Sequence, residues 1–195
     1  MTDLITLAEY KEAQKITGAS DDARLTTLVG SVSQLVKTYC NNTFVDHYST
    51  NKVEYFNNNF TTTSVQLTES PVNSIVSVKE RAGIASDYTT LSSSKDYYLD
   101  YNTDSVFRSN GSNGYIPFPR GPGAVEVTYT AGYVTCPADL KLAVISLVTY
   151  YHKDEHKGRQ SLAGASIQNQ SSSTQRDNVA FPDHIKRVLD LYKNY

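Results

Sequence analysis

Apolar side chains recur every three or four residues in four stretches of the chain, the spacing that lines one face of an α-helix. The central stretch begins at Pro137, which suits the first position of a helix, and Asp139 in its first turn complements the helix dipole. One face of this stretch carries Leu140, Ala143, Val144, Leu147, Val148 and Tyr151. The pattern therefore predicts a buried central helix that packs on the protein's own core.

The other side of the central helix is also partly apolar. Leu142 and Ile145 lie nearly opposite the core face, where Thr149 is one of the few polar residues. A helix that is apolar on two sides needs two neighbours, and the second could be a further element of the same chain or another copy of the protein. We therefore take Leu142, Ile145 and Thr149 as candidate subunit-interface residues.

Two further helices are predicted ahead of the central one. In the first, which is short, Thr6 and Glu9 have the spacing of a capping box, and Gly18 follows its end. The second is long and one-sided. It starts after the polar residues 20–22, which favour an N-cap, and two consecutive asparagines at 41–42 favour its stop.

Residues 44–130 show a different pattern, with short runs rich in Val, Ile, Tyr, Phe and Thr between clusters of Asn, Ser, Gly and Pro. Candidate strands are residues 44–48, 53–56, 64–67, 75–80, 97–101, 106–108 and 125–130. The predicted fold class is therefore α+β. It comprises an α-helical core (1–43 and 131–158), a β-rich insertion between the two long helices (44–130) and a C-terminal arm with a terminal helix (159–195).

The C-terminal arm combines a polar segment with a short amphipathic helix. Residues 161–175 are too poor in apolar side chains to fold alone, and an isolated three-turn helix is marginal in water. The helix therefore needs contacts with another surface to be stable. Its apolar stripe comprises Phe181, Ile185, Val188, Leu189 and Tyr192. We expect this stripe to dock on a partner protein; the alternative is that the helix packs on the core of its own subunit.

Composition narrows the class of protein. The 195 residues suffice for a good-sized core, and the two cysteines, Cys40 and Cys136, indicate free thiols in a reduced compartment. A formal charge of -2 with interspersed signs argues against a dedicated nucleic-acid binder. Neither a signal peptide nor an apolar run long enough for a membrane span is found, so we expect a soluble protein. Fifteen tyrosines without tryptophan favour semi-polar interfaces.

One motif suggests chemistry. His152, Glu155 and His156 match an inverted zinc-protease pattern, in which two histidines bind metal and the glutamate acts as base. Such a site needs a third ligand and a pocket, whereas this motif lies at the polar end of a helix.

Residues 120–123 are glycine-rich, but they lack the lysine and hydroxyl of a phosphate-binding loop, and we predict a tight turn there. We therefore predict no catalytic residue, cofactor or metal.

Several stretches together resemble a known family. The most specific are residues 120–133, Arg-Gly-Pro-Gly-Ala-Val-Glu-Val-Thr-Tyr-Thr-Ala-Gly-Tyr, and residues 137–141, Pro-Ala-Asp-Leu-Lys, which open the central helix. With the order helices, β section, helix, arm and helix, the chain resembles the head-tail connector (adaptor, head-completion) proteins of tailed bacteriophages and the related adaptors of gene transfer agents. Residues 161–175, rich in Ser and Gln, are the main departure from that family.

The resemblance implies a structural, non-enzymatic virion protein. Such a protein forms a twelve-fold homo-oligomeric ring beneath the portal, extends the DNA channel and provides the docking surface for the tail. The implied partners are further copies of the chain, the portal protein, downstream tail or stopper proteins, and double-stranded DNA that passes without sequence-specific binding; no membrane is involved. The protein would be assembled in the host cytoplasm and would lie at the head-tail interface. The alternative is a small metal-dependent hydrolase that uses His152, Glu155 and His156.

Overall fold

The computed structural model describes residues 2–112, 114–155, 161–162, 165–166 and 181–194. Residues 161, 162, 165 and 166 are described by their backbone alone. The chain divides into two compact units. We call Met1–Asn42 with Thr135–Tyr195 the helical unit, and Thr43–Val134 the β unit. Four helices and two larger antiparallel sheets confirm the predicted α+β class.

The helical unit contains all four helices found among the described residues. Its first helix carries the predicted capping box: Thr6 Oγ1 accepts from the Glu9 backbone N–H at 3.2 Å, and the Glu9 carboxylate accepts from the Thr6 backbone N–H at 2.7 Å. That helix ends at Lys15, in a left-handed conformation, three residues before Gly18. The unit comprises α1 (Leu7–Gln14), α2 (Asp22–Cys40), α3 (Ala138–His152) and α4 (Asp183–Asp190), with a two-residue strand pair, β8 (Ser161–Leu162) and β9 (Ala165–Ser166).

Local signals set the limits of the two long helices. Helix α2 stops where Asn41 turns left-handed, with φ of 51°, and asparagine tolerates this conformation better than most residues. Pro137 precedes α3 as its cap residue, and the five apolar side chains from Leu140 to Val148 on the predicted face are all buried. In the last turn, however, Tyr150 is buried and Tyr151 is only half-buried, and the two rings contact each other edge to face.

The β unit consists of two antiparallel sheets that share one hydrophobic core. Side chains of both sheets form the core, and the central strand β7 contributes Val125, Val127 and Tyr129, none of which is exposed. The four-stranded sheet has the order β1-β7-β3-β4, and the three-stranded sheet has the order β2-β6-β5. The strands are β1 (Lys52–Asn58), β2 (Ser64–Gln66), β3 (Val72–Glu80), β4 (Thr89–Thr90), β5 (Tyr97–Asp100), β6 (Ser105–Arg108) and β7 (Gly121–Ala131).

Three predictions in this region were wrong in detail. Residues 44–48 form turns instead of a strand, because Phe44 adopts a left-handed backbone with φ of 63° while its ring is fully buried. Residues 121–123 open β7 instead of forming a separate tight turn, since Gly121 pairs with Asn58 of β1. Strand β4 was missed because two threonines carry no alternating pattern.

A close backbone approach joins the two ends of the β unit. The Tyr133 backbone N–H donates to the Phe44 carbonyl at 2.6 Å. Gly132, the residue before Tyr133, adopts φ of 95°. A Cβ atom at position 132 would lie 2.1 Å from the Phe44 carbonyl oxygen. Only glycine fits there, so Gly132 fixes the crossing of the incoming and outgoing chain.

Candidate assembly surfaces

The outer side of α3 is partly covered by α1. The Lys141 ammonium pairs with the Glu9 carboxylate at 2.6 Å, and the Thr149 hydroxyl lies 3.4 Å from the Tyr10 hydroxyl. The Thr149 hydroxyl also donates to the Ile145 carbonyl at 2.9 Å. Leu142, in contrast, is 65% exposed. Helix α3 packs mainly on α2 and α4 of the same unit, and α1 adds these two side-chain contacts. The surface at Leu142 has no cover within the described part of this chain.

The C-terminal helix α4 packs on its own subunit. Phe181, Ile185 and Leu189 are each at most 2% exposed. The Phe181 ring meets the Tyr39 ring edge to face at 5.0 Å, and the Cys40 thiol contacts the Leu189 carbonyl at 3.5 Å. This packing corrects the expectation that the whole stripe docks on a partner. Of the five residues, only Val188 and Tyr192 keep partly exposed side chains.

Hydrogen bonds from tyrosines hold the C-terminal end of α4. The Tyr39 hydroxyl donates to the Asp190 carboxylate at 2.6 Å, and the Tyr192 hydroxyl donates to the Asp139 carboxylate at 2.7 Å. The Tyr192 bond lowers the pKa of Asp139. The backbone N–H of Asn194 donates to the Cys40 carbonyl, which lies at the end of α2. Burial raises the pKa of the Cys40 thiol to about 12, so this thiol is inert.

His152, Glu155 and His156, the residues of the alternative metal-dependent hydrolase, form no metal site within the described part of the chain. His156 lies outside the described residues. The His152 Nδ1 atom is enclosed and has no hydrogen-bond partner within the described part of the chain. No group of three or more metal-ligating side chains occurs among the residues that the structure describes. The cleft beside this helix end has a volume of about 260 Å³, and its lining includes Glu155, Thr149 and His184.

Two partly buried ionic clusters stiffen the β unit. Arg108 forms a two-pronged pair with Glu80, with both N–O distances at 2.9 Å, and it joins the three-stranded sheet to the four-stranded one. Glu69, 3% exposed, accepts from the Lys52 ammonium at 3.0 Å and from the Thr43 backbone N–H at 2.8 Å. Charged pairs with this many hydrogen bonds hold strands in a fixed register.

The β unit also exposes large apolar side chains that sequence reasoning did not single out. On β1, Val53 and Tyr55 are 47% and 60% exposed, and they occupy alternate positions on the side of the strand away from the core. Their period-two alternation with Lys52 and Glu54 is visible in the sequence, but such a pattern predicts that the apolar pair faces the core, whereas the structure places it on the outer face. Elsewhere in the unit, Val76, Tyr98 and Tyr101 are each more than half exposed.

Exposed apolar surface on both units, fixed on rigid strands and helices, is typical of a protein that works by assembly. Among the described residues, no helix has the length and apolar character needed to span a bilayer. A family model described as "HCP: Head completion protein" matches residues 3–195, so the chain belongs to the head completion protein family. The resemblance to head-tail connector proteins is thereby confirmed.

Individual proteins agree with the family. The head completion protein of Escherichia phage T5 is 28% identical over 85 residues, which span 42% of this chain and 47% of that protein. This chain therefore aligns with about half the length of that relative. A chain in the neck of an empty GTA (gene transfer agent) particle, computed with C6 symmetry, has a TM-score of 0.61 at 15% identity and covers 98% of this chain and 90% of its own.

A second neck structure gives the same result. A chain in the neck of a native GTA particle, computed with C12 symmetry, has a TM-score of 0.59 at 14% identity and covers 100% of this chain and 94% of its own. At such identities the likeness establishes a shared fold along nearly the whole chain.

Proposed function

We propose that this protein is a ring subunit of a phage virion neck. Twelve copies would assemble beneath the portal, extend the DNA channel and present a docking surface to the tail or stopper proteins. The subunits would be made and assembled in the host cytoplasm and end in the virion, and their role would be structural, without a catalytic step. The observation that carries this proposal is the shared fold, over 98% of the chain, with a subunit of a gene transfer agent neck.

Two further observations support the proposal. The family is described as that of a head completion protein, and a structural role between head and tail agrees with that description. The formal charge of -2 suits a channel through which DNA slides, because a strongly basic wall would hold the phosphate backbone electrostatically.

The exposed side of α3 is a candidate contact between subunits. Leu142 is 65% exposed, with Ile145 and Thr149 half-buried beside it on the same helix. In a ring each subunit buries one surface on the next copy, and an exposed leucine on a rigid core helix suits such a contact. The partly exposed Val188 and Tyr192 are what remains of the predicted docking stripe for the portal.

Leu142→Asp tests this contact. Because Leu142 is exposed, the unfolding free energy of the variant should lie within about 0.5 kcal/mol of the wild-type value. The variant should nevertheless fail to form rings, because the contact would bury an unpaired carboxylate at a cost of several kcal/mol. Leu191→Asp is the matched control, because Leu191 is 80% exposed at the end of α4. Normal rings of Leu142→Asp in electron micrographs would exclude this face from the interface.

The function itself is tested in the phage. Deleting the gene should give lysates with DNA-filled heads that lack tails, and expression of the protein from a plasmid should restore tailed particles. Electron microscopy counts both kinds of particle. Normal numbers of infectious tailed particles from the deletion would overturn the proposed function.

A further inference from the structure

The four-stranded sheet of the β unit has two open edges with different surfaces. At one edge, β1 pairs only with β7 among the described strands and carries the exposed side chains of Val53 and Tyr55, which we call the β1 patch. The Tyr55 hydroxyl is hydrogen-bonded to Glu126, whose carboxylate also pairs with Lys79 at 2.7 Å. This cross-strand row gives the exposed ring a charged partner at its hydroxyl end, which reduces the number of orientations that docking has to select among.

The opposite edge carries a groove. Strand β4 covers β3 only at Lys79 and Glu80, so the stretch from residue 72 to residue 77 has no strand partner on that side in the described part of the chain. Beside it, between β3 and the edge strand β5 of the other sheet, lies a cavity of about 440 Å³. We call this cavity the tyrosine groove. Its lining includes Ser74, Ser94, Tyr98 and Tyr101.

The chemistry of the groove matches the β1 patch. Tyrosine and serine make adaptable contacts that combine ring surface with hydroxyl groups, the composition used where one protein recognises another. A second tyrosine with a polar tip and a β-branched neighbour would be accommodated there by ring contacts and hydroxyl hydrogen bonds. The β1 patch lies on a strand, and the groove is lined by β3, β5 and the turns at Ser94 and Tyr101. The two sheets share one hydrophobic core, so we expect little rearrangement of these strands on contact.

The placement of the two surfaces determines what kind of assembly they can make. Strands β1 and β3 lie on either side of β7, so the β1 patch and the tyrosine groove are at opposite edges of one sheet. Two different complementary surfaces on opposite sides of a subunit produce a head-to-tail contact, and a head-to-tail contact closes into a ring when the rotation allows it. Two like surfaces would instead produce a closed pair.

We propose that the β1 patch of one copy seats in the tyrosine groove of the next copy, so that the β units form a continuous head-to-tail belt. This inference rests on the proposed ring. An exposed fraction near 60% leaves on the order of 100–150 Å² of each tyrosine to bury, so one contact is smaller than the roughly 800 Å² per partner of a typical stable interface. A single contact is therefore weak, and closure of the ring stabilises it by linking many such contacts.

Site-directed disulfide formation tests the proposal. The native thiols do not interfere, because Cys40 and Cys136 are at most 7% exposed. The double variant Tyr55→Cys/Tyr98→Cys, purified and mildly oxidised over a range of concentrations up to millimolar, should give a ladder of covalent oligomers on non-reducing gels. Each single variant can give at most a dimer. Tyr55→Cys/Tyr48→Cys is the matched control, since Tyr48 is exposed on the same unit but lies outside the groove.

The outcomes separate this inference from the ring itself. We expect species larger than a dimer to be at least ten-fold more abundant in the Tyr55→Cys/Tyr98→Cys variant than in the control. An equal ladder in both double variants would indicate random collisions and overturn the inference. Ring-sized wild-type protein in sedimentation velocity, without a ladder in the variant, would overturn the belt and leave the ring standing. A wild type that stays monomeric throughout, again without a ladder, would overturn both.

Discussion

Leu189→Ala should destabilise the helical unit strongly, because α4 belongs to the core of its own subunit. The Leu189 side chain is completely buried, and its backbone carbonyl contacts the Cys40 thiol at the end of α2. Leu191, two residues further along, is 80% exposed. The same substitution at the two positions therefore separates burial on the subunit from any general effect on the end of the chain.

The expected size follows from the atoms removed. Leucine to alanine deletes three carbon groups, worth roughly 0.8 kcal/mol each in transfer free energy, or about 2.4 kcal/mol in all. The cavity left behind adds to this, so the loss of unfolding free energy should be about 3–5 kcal/mol. Leu191→Ala should change the unfolding free energy by less than about 0.5 kcal/mol, because its side chain leaves little cavity and little buried surface.

Urea unfolding followed by circular dichroism measures both variants. At a slope of about 2 kcal/mol per molar urea, Leu189→Ala should shift the midpoint of the helical signal down by about 1.5–2.5 M, whereas Leu191→Ala should leave it in place. Equal and small shifts for the two variants would refute the reasoning. They would mean that α4 is not part of the subunit core and that its stripe is free to bind a partner.

Three further predictions concern backbone and charge. Gly132→Ala should lower the unfolding free energy by more than about 2 kcal/mol, because its Cβ would collide with the Phe44 carbonyl. Gly18→Ala, which has open space around it, should leave the thermal unfolding midpoint nearly unchanged. Arg108→Ala should lower the unfolding free energy by about 1–3 kcal/mol in urea unfolding, because it leaves the partly buried Glu80 carboxylate without its partner; a loss below about 0.5 kcal/mol would contradict this. The hydrogen bond from Lys141 lowers the pKa of Glu9. The ionised Glu9 carboxylate therefore stabilises the folded state at pH values above its pKa in the unfolded chain, and this stabilisation is lost as pH falls through its pKa in the folded protein. The pair is partly exposed, so Glu9→Gln should lower the unfolding free energy by less than about 1 kcal/mol at pH 7, and by progressively less as pH falls through the lowered pKa of Glu9. A loss that does not change with pH would exclude the charge as its cause.

The helices were predictable from sequence because their signals are local. The capping box at Thr6, the left-handed stop at Asn41 and the apolar spacing from Leu140 to Val148 each involve residues within a few positions of one another. The turn at Phe44 was not predictable in this way. Its conformation is set by the approach of Gly132, which is distant in sequence, and a β-rich composition alone favours a strand there.

The surfaces were harder to predict than the elements. An amphipathic stripe shows that Ile185 and Leu189 must be buried, but it does not show on what, and the structure supplies α2 and α3 of the same unit as the answer. The tyrosine groove depends on strand order, because β3 and β5 become neighbours only when two sheets pack around one core. Only the alternation of Val53 and Tyr55 could have been found beforehand.

The meeting of the two chain ends at Phe44 and Tyr133 has a consequence for engineering and for evolution. A unit whose first and last residues are joined by a backbone hydrogen bond can be cut out of, or grafted into, a host loop without stretching that loop. We therefore expect residues 43–134 to be exchangeable as one unit. A related particle could acquire a different unit between the same two helices, changing what the subunit recognises while the helices on either side keep their sequence.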